Sequence, residues 1–129
     1  MRKVILMLLL AVVSNSAMAE WVKLGESDEI TSYANPDTIR RSGNKVKMWR
    51  MFDYKTPQAD ADSKLFMSSK GQEEYDCKGE QSRNLALVNF SGSMGDGNVI
   101  DNLSGDDKWS PITPDSISEH LFKYACRKK

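Results

Sequence analysis

Few residues in this chain are of a type that does covalent or metal chemistry. It has one His, His120, and two Cys, Cys77 and Cys126. A nucleophilic triad needs a His beside a Ser and a carboxylate, and no G-x-S-x-G turn or comparable motif supplies the nucleophile. His120 therefore reads as an exposed helical side chain. The two thiols form no C-x-x-C redox pair, and one His cannot complete a tetrahedral zinc set with them. Asp60, Asp62, Asp96, Asn98 and Asp101 are oxygen donors at short spacing, the ligand type calcium prefers, but neither group matches an EF-hand loop. They read as solvated loop acids. The Gly92 to Gly97 segment lacks the Lys-Ser or Lys-Thr of a phosphate loop and precedes a strand rather than a helix. No catalytic residue, metal or cofactor is expected.

The remaining chemistry is recognition. Across residues 45–55 the even positions Val46, Met48, Arg50, Phe52 and Tyr54 are mostly apolar, while the odd positions are mostly charged. Trp49 and Met51 break that charged face, beside Lys45 and Lys47. Aromatic and basic side chains interleaved on an open sheet face make Lys45, Lys47, Trp49 and Met51 a candidate partner-binding patch. The alternative is that Trp49 and Met51 pack under a loop or against Trp21, since large apolar side chains are mostly buried. With 18 Lys plus Arg against 18 Asp plus Glu, the chain has no electrostatic basis for general nucleic-acid binding. At 129 residues it is too short for a two-domain enzyme.

The beginning of the chain gives an address. Met1-Arg2-Lys3 is basic, residues 4–13 are an apolar run, and Ala17-Met18-Ala19 before Glu20 is a small-x-small cleavage site, so residues 1–19 are expected to be a secretory signal peptide and residues 20–129 one domain. Ser14-Asn15-Ser16 interrupts the run well short of the roughly 20 apolar residues a membrane span requires. No stable membrane insertion is expected after leader removal. The residue after the cut is Glu20, not Cys, so lipidation of a mature N-terminal Cys is not expected either. In an oxidising compartment the only two thiols, Cys77 and Cys126, are expected to close one structural disulfide.

The elements that position these residues follow from periodicity. Residues 21–24 and 29–33 read as short strands. Asn35-Pro36-Asp37 opens a turn, Thr38-Ile39-Arg40-Arg41 fits one helical turn, and Ser42-Gly43-Asn44 ends it. Residues 45–55 are the clearest strand. Residues 57–64 read as a polar loop, 65–69 and 72–77 as strand segments around Lys70-Gly71, 83–91 as a central strand, 92–98 as a flexible hairpin connection and 99–103 as a last strand. Pro114-Asp115-Ser116 announces a helix, because Ser116 with Glu119 forms a capping box. Ile117, Leu121, Tyr124 and Ala125 then line one side of it, with Phe122 at the margin. Cys126 ends it, and a bridge to Cys77 fastens helix to sheet. The expected architecture is α+β: an antiparallel sheet with a C-terminal helix on one face.

This arrangement resembles the surface-adhesin protein E family of Gram-negative bacteria. The residues that carry the resemblance are Trp21, Tyr33, Thr38-Ile39-Arg40-Arg41-x-Gly43-Asn44-x-Val46-x-Met48-Trp49, Asp53-Tyr54, Asp76-Cys77, Gly95-x-Gly97, Trp109-x-x-Ile112-x-Pro114-x-Ser116 and Cys126. The resemblance implies a six-stranded sheet with its helix tied by Cys77 and Cys126. It also implies an adhesin-like, non-catalytic role, with host matrix proteins such as vitronectin and laminin as ligands of the founding member, and a homodimer. The expected address is the periplasm, the cell surface or the medium. A second reading is a periplasmic protein that binds or inhibits another envelope protein.

Overall fold

Alternating polar and apolar positions build six successive strands: β1 (Val22–Glu26), β2 (Ile30–Ser42), β3 (Lys45–Ala59), β4 (Leu65–Asp76), β5 (Gln81–Phe90) and β6 (Val99–Ser104). They lie side by side in chain order, every neighbouring pair antiparallel, and a two-residue β7 (Ser110–Pro111) adds to the start of β5. One helix follows, α1 (Ile117–Arg127). The computed structural model describes residues 20–127, so the expected leader lies outside the described residues.

The helix starts where the capping box placed it. Glu119 N–H donates to Ser116 Oγ at 3.2 Å, and Glu119 Oε1 accepts from Asp115 N–H at 3.1 Å. It packs over β1 to β4. Leu121 and Ala125 are buried against Ala34, Val46, Met48 and Tyr75, with Leu24, Ile39, Ile117, Phe122 and Tyr124 around them. The Tyr75 and Phe122 rings meet edge to face at 6.2 Å. Cys77 and Cys126 are joined, their Cα atoms 5.7 Å apart. This core is small, so the covalent tie carries much of the helix's attachment.

Bulges shape the sheet and account for where it departs from expectation. Residues 38–41 are strand, not a helical turn. Between Asn35, opposite Trp49, and Arg40, opposite Lys47, four residues of β2 face only Met48. Asn35 Oδ1 accepts from Asp37 N–H, and Thr38 Oγ1 accepts from Trp49 N–H at 2.9 Å. The side chains of Asn35 and Thr38 thus replace the missing ladder bonds, which lets Pro36 sit inside a strand. β3 similarly runs on through a bulge to Ala59, so the loop expected from residue 57 shortens to residues 60–64. β4 is continuous through Lys70-Gly71 because Gly71 leaves room for a neighbour: a Cβ there would meet Arg50 Cζ at 2.6 Å.

The connection at 92–98 is tied down rather than loose. A 3-10 turn at Ser93–Gly95 sits over β3 and β4. Met94 N–H donates to Asp53 Oδ1 at 2.9 Å, Gly95 N–H donates to Ser68 Oγ at 2.8 Å, and Ser68 Oγ donates to Gly92 O at 2.6 Å. Gly95 has φ +73° and lies against the Lys70 stem, a place where a side chain would be both strained and crowded.

Candidate functional site

Residues opposite one another in a ladder share a face. Val46 and Met48 face the helix, so the odd positions of β3 face away from it. On that outer face Trp49 stands between Asn35 and Gln72, Lys47 between Arg40 and Glu74, and Lys45 between Ser42 and Asp76. Lys45 and Lys47 are exposed and Trp49 is half-buried. Met51, the fourth candidate, is fully buried. It lies between Tyr33 and Lys70, one step from the Asp53 that anchors the 3-10 turn. It supports the face from beneath and is not a contact residue, which corrects its place in the candidate patch.

The fold brings further residues to this face that sequence spacing did not indicate. Lys70 Nζ lies 5.4 Å from the centre of the Trp21 ring and 5.2 Å from that of Phe90. At the other end, Trp109 is approached by Lys45 Nζ at 5.7 Å and Arg83 Cζ at 4.6 Å. Arg83 donates through Nε (2.8 Å) and Nη2 (2.6 Å) to Glu74 Oε1, and its Nη1 lies 3.1 Å from Asp107 Oδ1. All three tryptophans of the chain therefore occupy one face, interleaved with cations. Each cation-ring contact is worth about 0.5–1 kcal/mol at a partly exposed site, so the face is preorganised.

Positive charge gathers around Lys47. Lys47 faces Arg40 across the ladder, and like charges placed opposite destabilise a sheet. The carboxylate on its other side, Glu74, is already bridged to Arg83. Asp76 belongs to a turn, where Gly79 N–H donates to it at 2.9 Å and holds its carboxyl below the usual range, with Lys45 adding to the effect.

The opposite face beyond the helix holds a buried polar group that the even-odd pattern contained but did not explain. Arg50 is 7% exposed, and its guanidinium lies 4.0 Å from the Phe52 ring centre and against Gly71. Burial pushes its pKa down and pushes Glu73 and Tyr75 up. Its Nη1 donates to Ser69 Oγ at 3.4 Å, while Nε is buried without a partner. His120 is exposed on α1, at a groove of about 250 Å³ shared with Leu24, Lys123, Tyr124 and Arg127.

A sequential antiparallel sheet, a disulfide-fastened helix and an aromatic, basic outer face define a small α+β domain. The chain belongs to the Surface-adhesin protein E family, whose model matches residues 21–127. Its fold is similar to that of Haemophilus influenzae protein E. Crystal form II of that protein aligns with a TM-score of 0.69 at 10% identity, covering 86% of this chain and 90% of the other. A second structure of it gives 0.66 at 11% identity, covering 86% of each chain. Protein E from non-typeable Haemophilus influenzae gives 0.64 at 11% identity, covering 86% of this chain and 78% of the other. At such identities the likeness establishes the fold. No curated protein sequence matches this chain at a significant level. Among the described residues, no helix is long and apolar enough to cross a membrane.

Proposed function

We propose that this chain is an exported, non-catalytic binding module that acts as an adhesin, its leader at 1–19 removed before Glu20, and that its outer sheet face receives a host matrix protein. The observation that carries this reading is the gathering of all three tryptophans with Lys45, Lys47, Lys70 and Arg83 on one side of the sheet. Trp and Arg dominate the energetics of protein interfaces, because they bury large areas at modest entropic cost. Lys47 and Arg40, adjacent across the ladder, steer an acidic patch of the ligand onto Trp49. Membership of a surface-adhesin family supports the same reading.

The test is surface plasmon resonance of purified protein over immobilised extracellular-matrix proteins. A saturable signal is expected, and Trp49→Ala plus Lys47→Ala should weaken it at least about tenfold, the loss of a modest hot spot. A signal unchanged by the double substitution rejects this face as the site, and no saturable signal rejects matrix binding. Protease accessibility on whole cells tests the address: cleavage in intact cells is expected, and protection until the outer membrane is opened overturns surface exposure.

A further inference from the structure

Backbone strain and an exposed apolar side chain coincide where the 3-10 turn crosses the outer face. Among the described residues, five other than glycine hold a positive φ: Ser63, Glu80, Met94, Asp107 and Asp115. Met94 is the one apolar residue of the five, at φ 57° and ψ 33°. In this conformation a Cβ crowds the carbonyl oxygen, a strain that glycine escapes. The turn is pinned from below, because Met94 N–H donates to Asp53 Oδ1 and Gly95 N–H to Ser68 Oγ, and Asp53 and Ser68 stand opposite one another on β3 and β4. No burial offsets the strain, since Met94 is 44% exposed. The other large exposed apolar residues, Val22, Leu65, Val99 and Leu103, lie on the edge strands β1 and β6 or at the start of β4. Met94 alone among them stands over the middle of the sheet.

A cation without a carboxylate borders the turn. Gly95 lies against the Lys70 stem, so close that a Cβ would overlap Lys70 Cε. The ammonium of Lys70 faces the Trp21 and Phe90 rings, and it forms no ion pair among the described residues. A flexible thioether, two aromatic rings and an unshared positive charge therefore border one another on the outer face. Methionine adapts its shape to varied apolar groups, and an ammonium over rings keeps its capacity to meet an anion.

We propose that Met94 and Lys70 form a second subsite of the outer face, one that receives a large apolar side chain adjoining a carboxylate on the ligand. This inference rests on the reading of that face under Proposed function and names the ligand chemistry taken at the end away from Trp109. The left-handed backbone holds Met94 up from the sheet and in the ligand's path, and strain of this kind gathers at binding sites. Lys70 then pairs with the adjoining carboxylate, as Lys47 and Arg40 do with the acidic patch at Trp49.

The test is surface plasmon resonance with vitronectin and laminin as the immobilised probes, joined to urea unfolding of the same variants. Met94→Gly removes the side chain and relieves the backbone, so its urea midpoint should rise by about 0.5 M while its affinity falls about fivefold. A purely structural methionine would show the first change without the second. Met94→Ala keeps the strained backbone and should lose the same affinity at an unchanged midpoint. Lys70→Met keeps the stem against Gly95 and should weaken binding about threefold, with a shallower salt dependence. Binding that is lost in Trp49→Ala plus Lys47→Ala but retained in Met94→Ala overturns this subsite and leaves the outer face standing. No saturable signal from the unaltered protein overturns both. Full affinity in Lys70→Met, or a Met94→Gly midpoint that fails to rise, also overturns the assignment.

Discussion

Removing the bridge with Cys77→Ala plus Cys126→Ala should cost this domain a large part of its stability. The two half-cystines are 49 positions apart. Closing a loop of that length removes about 4 kcal/mol of conformational entropy from the unfolded chain in the loop-closure treatment. Small domains are stable by only about 5–15 kcal/mol, and the helix here is held otherwise by two buried side chains, Leu121 and Ala125, with a half-buried fringe. With an m-value of about 1.5 kcal/mol/M, the urea midpoint should fall by about 2–3 M. The m-value itself should rise, because the uncrosslinked unfolded chain exposes more surface. Hydrogen exchange should show the amides of α1 losing protection before those of β3 and β4, since the helix loses its tie while the ladders remain. A midpoint shift equivalent to less than about 1 kcal/mol, with helix protection unchanged, would refute the reasoning and show that side-chain packing alone docks the helix.

Two further perturbations follow from the buried and charged groups. Gly71→Ala places a methyl 2.6 Å from Arg50 Cζ and should displace the guanidinium from Phe52, destabilising the protein by about 1–3 kcal/mol in urea unfolding. In an Arg50→Met background that cost should shrink below half, and an unchanged cost would mean that Arg50 is not the obstacle. On acidification, Glu26 is held at about 2 against an ordinary 4.5, first by the hydrogen bond from Lys23 and then by that from Lys55. A depressed carboxyl stabilises the fold above its unfolded pKa and loses that contribution as pH falls from about 4.5 to about 2. Glu73 acts in the opposite sense, because burial raises its pKa and protonation on acidification relieves its burial. Glu26→Gln should therefore flatten part of the acid loss in thermal melts between those pH values, and an unaltered profile would contradict the assignment.

The architecture was legible in the sequence where local chemistry is decisive. The alternation at 45–55, the Ser116 and Glu119 capping pair and the two cysteines each point to one outcome, and together they define a sheet, a helix and the staple between them. Bulges were not legible. The segment 36–39, four residues against the single Met48, looks like a turn in the sequence, because Asn35, Pro36 and Asp37 are turn formers. It becomes strand only because Trp49 offers its N–H to Thr38 across the sheet. The proposed recognition face was legible in part. Lys45, Lys47 and Trp49 share a strand, whereas Trp21, Lys70, Arg83 and Trp109 join them through registers that depend on those bulges. Met51 shared their parity, but a loop 40 or so positions later anchors beside it at Asp53, and periodicity within one strand carries no such information. The same limit applies to Asp60 and Asp101, polar loop residues by sequence that become a buried pair, both bridged by Lys64, through the meander.

The claim that one sheet face carries recognition is tested most directly by ¹⁹F NMR of protein labelled with 5-fluorotryptophan. The chain has three tryptophans, so three resonances report on one surface. On addition of a matrix protein that binds, the account predicts that the Trp49 resonance shifts or broadens most and that those of Trp21 and Trp109 respond with it. Saturable binding that leaves all three resonances unmoved would contradict it.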